Sequence, residues 1–295
     1  MVQKVKPVIC VGSFHWDEIA LSSTFLALGD DAPGTIHKNP GGVAFNIAKS
    51  MTEFGIPVLL GSILGKDPEG QELLGIAKGL GIKCELIYNS AQKTGKYLAI
   101  EDPRGLVAAI ADCSYLENNE EQLLEKLIAW RKSKASETAI SGLVIDGNLS
   151  SNFIETLFNC PYFNNYPVKI ASASNHKIYR IKQFDFKMNP TLLYLNYLEA
   201  RRLLADEMSD DLENQEYIQA LLTKFDRVIL TDGGNDIIDA DSKEVFRFTP
   251  QSIQPNTITG AGDYFMAAHI ALELLGYSRM AALQEACNFV RGKIA

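Results

Sequence analysis

Residues 142–171 read GLVIDGNLSSNFIETLFNCPYFNNYPVKIA, and this stretch decides the fold. Its two apolar runs, 142–146 and 167–171, have the length and composition of buried strands, and residues 151–159 between them are predicted to form a helix. A strand, a helix and a second strand in this order are typical of a βαβ unit with parallel strands.

The same alternation continues towards both ends of the chain. A short apolar run at 8–11 closes on Gly12, and residues 43–54 carry apolar side chains on one helical face that ends at Gly55. The other predicted strands are 56–60, 85–88, 192–195 and 227–231, with a hairpin of 236–239 and 244–248. The other predicted helices are 68–78, 119–132, 197–205, 211–224, 261–275 and 279–292. This rhythm predicts an α/β fold, a doubly wound and mostly parallel sheet covered by helices on both faces.

Two segments interrupt the rhythm. Residues 13–40 are polar and turn-rich without a helical period, and residues 91–115 contain two predicted strands around a turn at 101–105. We expect these segments to form a small β-sheet lid over the active site, with residues 1–12, 41–90 and 116–295 forming the α/β core. Because the edges of a small exposed sheet need covering, a homodimer formed through the lid is a further expectation.

Composition excludes several classes of partner. The chain has 295 residues and a formal net charge of −8, and its 28 lysines and arginines are scattered, which argues against a nucleic-acid polymer as partner. Five cysteines, an odd number without C-x-x-C spacing, predict free thiols in a reducing compartment. No apolar run approaches the roughly 18 residues of a membrane span. We therefore expect a cytoplasmic protein without a membrane partner.

The sharpest chemical signal is the motif TGAGD at 259–263, ahead of the apolar helical run 264–275. Glycines at a helix start leave backbone N–H groups unobstructed, and the helix dipole adds about half a positive charge there, which suits a phosphoryl group. Asp263 lies in the first turn, where an aspartate is also an ordinary capping residue. The flanking glycines favour the other role, a carboxylate that takes the proton from an attacking hydroxyl.

A second signal is the Gly41-Gly42 turn, which enters the predicted helix 43–54 with Asn46 in its first turn. Two glycines allow a ligand close to the backbone, and the Asn46 amide can hydrogen-bond sugar hydroxyls as donor and acceptor. A plain junction between a loop and a helix is the alternative interpretation.

A third signal is the pair Asn196 and Glu199, which follows the strand 192–195 at the sheet edge where open α/β sheets bind ligands. One helical turn apart, the two side chains can orient water on Mg²⁺ near the phosphates, and helix capping is the alternative. Weaker candidates also follow apolar strands: Asp17, Asp146, Asn148 and the TDGG turn at 231–234.

Several common motifs are missing from the sequence. The chain has no G-x-x-x-x-G-K-[ST] motif of P-loop enzymes. No G-x-G-x-x-G opens a first βαβ unit, which disfavours a nicotinamide-linked oxidoreductase. The histidines lack metal or triad spacing and are interpreted as structural or surface residues: His15, His37, His176 and His269.

In order and approximate spacing, three motifs resemble those of the ribokinase-like (PfkB) carbohydrate kinases: Gly41-Gly42 with Asn46, Asn196 with Glu199, and 259–263. The resemblance spans nearly the whole chain. It implies the doubly wound α/β fold with a small β-sheet lid, and an ATP-dependent kinase that phosphorylates a hydroxyl of a sugar or nucleoside with Mg²⁺ as cofactor.

The resemblance also implies roles for individual residues. Asp263 is implied as the catalytic base, with the amides from Gly260 through Ala261 and Gly262 holding the transferred phosphoryl group. The implied substrate-binding residues are Asp17, Gly41, Gly42, Asn46 and Asn148. The implied nucleotide and metal residues are Asn196, Thr231, Gly233 and Thr259, with Glu199 serving the magnesium.

Within this family the chain most resembles the pseudouridine kinases, on four segments: Pro33-Gly34, AIAD at 109–112, DGNL at 146–149, and Ile258. The resemblance implies phosphorylation of the 5′-hydroxyl of pseudouridine, with the base under the lid. Pseudouridine carries a free N1–H that uridine lacks, and the lid residue Lys96 or Asp112 is expected to recognise this group by a hydrogen bond. The acceptors of ribokinase, adenosine kinase and fructokinase stay open as alternatives, as does a catalytically inactive sugar-binding regulator.

Three segments depart from the family pattern. Thr257 stands where many members have an aspartate of a monovalent-cation site, which leaves potassium activation in doubt. Asp236 replaces a usual glycine of the nucleotide turn, and Ala171-Ser172 replaces a common Asp-Pro. The preference for a phosphoryl donor is therefore not carried over from the family.

Overall fold

The computed structural model describes residues 5–134, 139–172, 174–181, 190–205, 214–251 and 260–294. Within these ranges the strands are β1 (Val8–Val11), β2 (His15–Ser22), β3 (Gly34–Gly41), β4 (Val58–Gly65), β5 (Ile87–Ser90), β6 (Lys96–Asp102), β7 (Gly105–Asp112), β8 (Gly142–Asp146), β9 (Val168–Ala171), β10 (Thr191–Asn196), β11 (Arg227–Thr231), β12 (Ile237–Asp241) and β13 (Val245–Phe248). The helices are α1 (Val43–Glu53), α2 (Pro68–Gly79), α3 (Ser114–Glu117), α4 (Glu120–Lys134), α5 (Ser151–Asn159), α6 (Tyr197–Leu204), α7 (Asn214–Leu222), α8 (Ala261–Leu274) and α9 (Arg279–Ile294). None of these helices has the length and apolar content that a bilayer crossing requires.

Nine strands form one large sheet in the order β13-β12-β11-β10-β9-β8-β1-β4-β5. From β11 to β5 all neighbours are parallel, whereas β12 and β13 run antiparallel. The chain moves outward from β1 to β4 on one side and continues from β8 to β11 on the other, so the strand order reverses at β1. In open α/β sheets the crevice at such a switch point is where ligands bind.

Helices cover both faces of the large sheet, which confirms the predicted doubly wound α/β fold. One apolar core includes Leu127 of α4 and Tyr217 of α7, and the other includes Ile47 of α1 and Ile270 of α8. The central strands β1 and β4 are buried along their whole length because they are covered from both sides. This double cover explains their uninterrupted apolar sequences.

Four strands form a second, smaller sheet in the order β3-β2-β6-β7, which we call the lid. Its outer pairs are antiparallel and its central pair, β2 and β6, is parallel. Apart from Gly41 at the end of β3, these strands come from the two segments that the sequence predicts as a separate small sheet. Phe14, just ahead of β2, stacks on Phe45 of α1 with ring centroids 4.4 Å apart, so the start of the first segment packs with the core.

The observed elements differ from the predicted ones in the lid hairpin, in two short helices and in several bounds, such as those of β4, which was predicted at 56–60 and spans Val58–Gly65. The lid hairpin is tighter than the predicted turn at 101–105, because Asp102 pairs with Gly105 and its carboxylate accepts hydrogen bonds from the backbone amides of Leu26 and Arg104, at 3.0 and 2.8 Å. Helix α3 and a 3₁₀ helix at Ile178–Ile181 were not predicted. Four residues are too few to reveal a period in the sequence.

Candidate active site

A cavity of about 510 Å³ lies where the lid faces the carboxyl ends of the large-sheet strands. Asp17 and Tyr97 line it from the lid, and Asn196 and Thr231 line it from the ends of β10 and β11. The amino ends of α1 and α8 also border this cavity. The candidate site therefore lies at the switch point that the strand order defines.

Asp263 lies half-buried in the first turn of α8 and lines the cavity. Asn46 donates a hydrogen bond from Nδ2 to the Asp263 Oδ2 at 2.9 Å. Burial is the main cause that raises the pKa of Asp263 to about 8; the Asn46 hydrogen bond opposes the shift, and the charges of Asp146, Asp17 and Glu199 add to it. A carboxyl group whose pKa lies near neutrality is suited to proton transfer at physiological pH.

The amino end of α8 presents backbone amides without helical partners beside Asp263. Gly260 caps the helix in the left-handed conformation, with φ of 79°, and the first hydrogen bond of the helix runs from the Tyr264 N–H to the Gly260 carbonyl at 2.9 Å. The N–H groups of residues 261–263 precede that bond and have no partner within the helix. Thr259, the first residue of the predicted motif, lies outside the described residues, as do Thr257 and Ile258.

The Gly41-Gly42 pair makes room for protein atoms around the cavity. Gly42 has φ of 100°, and a Cβ there would lie 2.6 Å from the Ser13 carbonyl oxygen. A Cβ on Gly41 would lie 2.0 Å from the Asp17 Oδ2. The sequence interpretation, that both glycines allow a ligand to approach, is thus corrected for Gly41, whose missing side chain makes room for Asp17.

Asp17 is nearly buried at the cavity wall, with 9 % of its surface exposed. The His15 Nδ1 lies 3.2 Å from the Asp17 Oδ1, but neither atom has a hydrogen-bond partner of proper geometry among the described residues. His15 lines the cavity, which corrects the interpretation of all four histidines as structural or surface residues. The signal in the sequence was its spacing from Asp17, because residues two apart on a strand share a face.

A buried network braces the start of α1. The Asp146 carboxylate is fully buried and accepts hydrogen bonds from the Ser13 backbone amide and side chain and from the Asn148 amides. The Ser13 Oγ in turn accepts from the Val43 N–H at 2.9 Å, in the first turn of α1. Asp146 therefore acts through Ser13 to hold the helix that carries Asn46.

Asn196 and Glu199 form the capping box of α6. Asn196 Oδ1 accepts from the Glu199 N–H at 2.9 Å, and Glu199 Oε2 accepts from the Asn196 N–H at 2.8 Å and from the Ser172 hydroxyl. Both side chains nevertheless line the cavity, and burial raises the pKa of Glu199. Thr231 lines the same region, whereas Gly233 lies in the following exposed turn with φ of 56° and is not part of the cavity wall.

Lys96 and Asp112 lie outside the cavity wall, which corrects the expectation that one of them recognises the N1–H of the base. Their partners in the sheet show why: Lys96 is paired with Asp112 and with Trp16, whereas the next pair along β6, Tyr97 with Asp17, lines the cavity. Side chains alternate across a sheet, so Lys96 projects to the opposite face. There it contacts Glu18 and Glu69 at 2.9 and 3.1 Å. A charged lysine also has no acceptor for an N–H donor.

Comparison with known proteins agrees with the fold. Residues 5–290 match the sequence model of the pfkB family carbohydrate kinases. The sugar kinase YeiI of Escherichia coli K12 is 28 % identical over 275 residues, which cover 92 % of this chain and 73 % of that protein. The pseudouridine kinase of the same organism is 27 % identical over 271 residues, covering 88 % and 81 %. Ribokinase of Thermotoga maritima superposes with a TM-score of 0.76 at 18 % identity, covering 97 % and 91 %.

This chain belongs to the pfkB family of carbohydrate kinases. It is an ATP-dependent phosphotransferase that acts on a sugar or a nucleoside. The fold class and the family predicted from the sequence are both confirmed.

Proposed function

We propose that this kinase transfers the γ-phosphoryl group of ATP to the 5′-hydroxyl of pseudouridine, with Mg²⁺ as its cofactor. The observation that carries the proposal is one cavity in which a half-buried carboxyl group, Asp263, lies beside the amides of α8 that have no partner within the helix. The choice of acceptor is supported by the 27 % identity to a pseudouridine kinase. Ribose, adenosine and fructose are the competing acceptors.

Asp263 would serve as the general base. Its carboxylate accepts the proton of the acceptor 5′-hydroxyl as that oxygen bonds to the γ-phosphorus, while the bond to the bridging oxygen breaks and ADP leaves. Asn46 holds one carboxylate oxygen, Oδ2, at 2.9 Å and so fixes the side chain of Asp263 in the cavity wall. The raised pKa makes this carboxylate a stronger base than an exposed aspartate.

The amides of Gly260 to Asp263 would bind the transferred phosphoryl group. Three of these four N–H groups, those of residues 261–263, have no partner within the helix, and at the positive end of a 14-residue helix they form a preorganised anion site. Gly262 is exposed, and a Cβ there would meet no atom within 4 Å, so the approach to these amides is open. Charge that develops on the phosphoryl oxygens is stabilised there without reorganisation of the protein.

The acidic character of the cavity fits a divalent cation. Asp17, Glu199 and Asp263 all line the cavity, and the first two raise the pKa of the third by repulsion. Carboxylate oxygens are the ligands that Mg²⁺ prefers, commonly through water. When bound, the ion would neutralise phosphate charge, and Glu199 with Asn196 would hold it. Thr231, Gly233 and Thr259 are proposed for the nucleotide, and Asp17, Gly42 and Asn46 for the ribose hydroxyls.

We also propose that two copies pair through the lid face turned away from the cavity. That face exposes four large apolar side chains on β3, β6 and β7: Ile36, Leu98, Ile100 and Ile110. Apolar patches of this kind are typical of protein interfaces. Sedimentation of the wild-type protein at the mass of a monomer across the micromolar range would contradict the dimer.

The pH dependence of kcat/KM tests the role of Asp263. Because only the deprotonated carboxylate accepts a proton, kcat/KM for the acceptor is expected to rise tenfold per pH unit and to level off near the free-enzyme pKa of about 8. The measurement is initial rate against pH at fixed Mg·ATP. A rising limb that ends near pH 4, the range of an unperturbed aspartate, contradicts the raised pKa.

The acceptor is tested by kcat/KM for pseudouridine, uridine, adenosine, ribose and fructose under identical Mg·ATP. We expect pseudouridine to have the highest value. If ribose or fructose exceeds pseudouridine by tenfold, about 1.4 kcal/mol in transition-state binding, the proposed acceptor is wrong while the kinase activity stands. Turnover of none of the five would favour the sugar-binding regulator.

A further inference from the structure

Lys177 lines the cavity and has no part in the roles proposed above. Its Nζ donates a hydrogen bond to Asn148 Oδ1 at 2.6 Å and another to Cys113 Sγ at 3.3 Å. Burial raises the pKa of Cys113, so the sulfur is a neutral thiol and a weak acceptor. An ammonium group has three N–H bonds, so one remains for a ligand in the cavity.

The Asn148 side chain has one possible orientation. Its Nδ2 donates to Asp146 Oδ1 at 2.9 Å and to Ser13 Oγ at 3.3 Å, and its backbone N–H donates to the same Asp146 oxygen at 2.8 Å. Both amide hydrogens are thus used inside the protein, and the carbonyl oxygen accepts from Lys177. Asn148, predicted to bind substrate directly, is therefore better placed to position Lys177.

The segment that carries Lys177 is fixed to the core. Arg180, one turn further on, donates a hydrogen bond to the backbone carbonyl oxygen of Asn148 at 2.6 Å. It also pairs with Glu117 Oε1 at 2.6 Å. Ile178 and Ile181 of the 3₁₀ helix are buried in the apolar core. A lysine held in one place loses little side-chain entropy when it binds a ligand.

Lys177 lies on the acceptor side of the cavity. Its partner Asn148 follows β8, and its partner Cys113 directly follows the lid strand β7. The residues proposed for the nucleotide, such as Thr231, follow strands further out in the sheet. Among the described residues of the cavity wall, Lys177 is the one lysine or arginine, in a wall that also carries the carboxyl groups of Asp17, Glu199 and Asp263.

We propose that Lys177 is the specificity residue of this kinase, which donates a hydrogen bond to a carbonyl oxygen of the acceptor's base, and that Asn148 positions it. The inference rests on the proposed function in requiring a nucleoside acceptor. A uracil-type base offers two carbonyl oxygens, whereas ribose and fructose in their ring forms offer none. A half-buried ammonium in the cavity wall that loses its ligand partner disfavours an acceptor without a carbonyl group.

The test compares Lys177→Met with wild type on pseudouridine, uridine and ribose at saturating Mg·ATP. For both nucleosides we expect kcat/KM to fall about 10- to 100-fold, mainly through KM, and for ribose to stay within about threefold, because the lost hydrogen bond involves a charged donor. Lys83→Met is the matched control, since Lys83 is exposed and lies outside the cavity wall. It should leave all three values unchanged.

The Asn148→Ala variant tests whether Asn148 positions Lys177 or contacts the acceptor itself. It should raise the KM of both nucleosides by less than Lys177→Met does, and the double variant should be no worse than Lys177→Met alone, because Asn148 acts through Lys177. Additive losses would assign Asn148 an independent role and overturn the positioning claim. If Asn148→Ala does not fold, the affinities of wild type and Lys177→Met for pseudouridine, measured by calorimetry, test whether Lys177 contacts the acceptor.

Three outcomes distinguish this inference from the proposed function. An equal loss of kcat on ribose and on the nucleosides would place Lys177 at the transferred phosphoryl group and overturn the inference. A wild-type preference for ribose, with a Lys177→Met loss confined to the nucleosides, would overturn the proposed acceptor and support the inference. Failure of the wild-type protein to bind or phosphorylate either nucleoside would overturn both.

Discussion

The Asp263→Asn variant is expected to lose about 10²–10⁴-fold in kcat. Asparagine cannot accept the hydroxyl proton, although its amide oxygen can still accept the hydrogen bond that Asn46 donates at 2.9 Å. The measurement is kcat with saturating acceptor and Mg·ATP. Asp31→Asn, at an exposed position of the lid segment, is the matched control and should keep full activity.

The same variant is expected to fold as well as the wild type. The raised pKa of Asp263 means that the folded state favours its protonated form, so the stability linked to this group is present at low pH and is lost as pH rises towards about 8. The asparagine side chain does not ionise, so the variant does not lose this stability as pH rises. The free energy of unfolding of Asp263→Asn should therefore equal or exceed that of wild type at pH 8. A kcat near the wild-type value in a folded variant would remove Asp263 from the mechanism.

Gly42→Ala is expected to destabilise the protein by about 2–4 kcal/mol and to abolish most activity. A side chain is strained at φ of 100°, and the new Cβ would lie 2.6 Å from the Ser13 carbonyl oxygen, which accepts the Phe45 N–H in the first turn of α1. Displacing Ser13 would also disturb its bonds to Asp146. Denaturant unfolding and the steady-state rate together measure the effect.

Gly75→Ala is the control for the glycine substitution. Gly75 lies exposed within α2, and a Cβ there would meet no atom within 4 Å, so alanine should raise stability by about 0.5–1 kcal/mol. A Gly42→Ala protein as stable as Gly75→Ala would show that the turn before α1 tolerates a side chain. The proposed packing of Gly42 against Ser13 would then be wrong.

Local patterns of apolar and polar residues in the sequence predicted most of the fold. The strand 142–146 and the helix 151–159 were predicted with the bounds that the structure has, because apolar runs and helical periods are properties of neighbouring residues. The lid strands β2 and β3 were predicted only as a β-rich segment. β3 is exposed over most of its length and β2 is buried or partly buried over most of its length, so neither sequence carries the alternation that marks a half-buried strand.

The candidate site was predicted unevenly. Asp263 and Asn46 were predicted singly, and the structure joins them through a hydrogen bond across 217 positions of sequence. Lys96 and Asp112 were placed on the wrong face of the lid, because a face follows from pairing register and one residue along a strand reverses it. Lys177 was missed, since its segment shows neither a strand nor a helix period.

The sequence alone determined the layered α/β architecture and predicted the phosphate-binding role that we propose for the start of α8. Both follow from short-range physics: the burial of periodic side chains, and the freedom of glycine backbone at a helix start. Only the tertiary structure decided that Asp17, Asp146 and Glu199 act on Asp263 and that Asn148 faces Lys177. Electrostatic repulsion and desolvation depend on distances between residues that lie far apart in the sequence, and no local pattern encodes those distances.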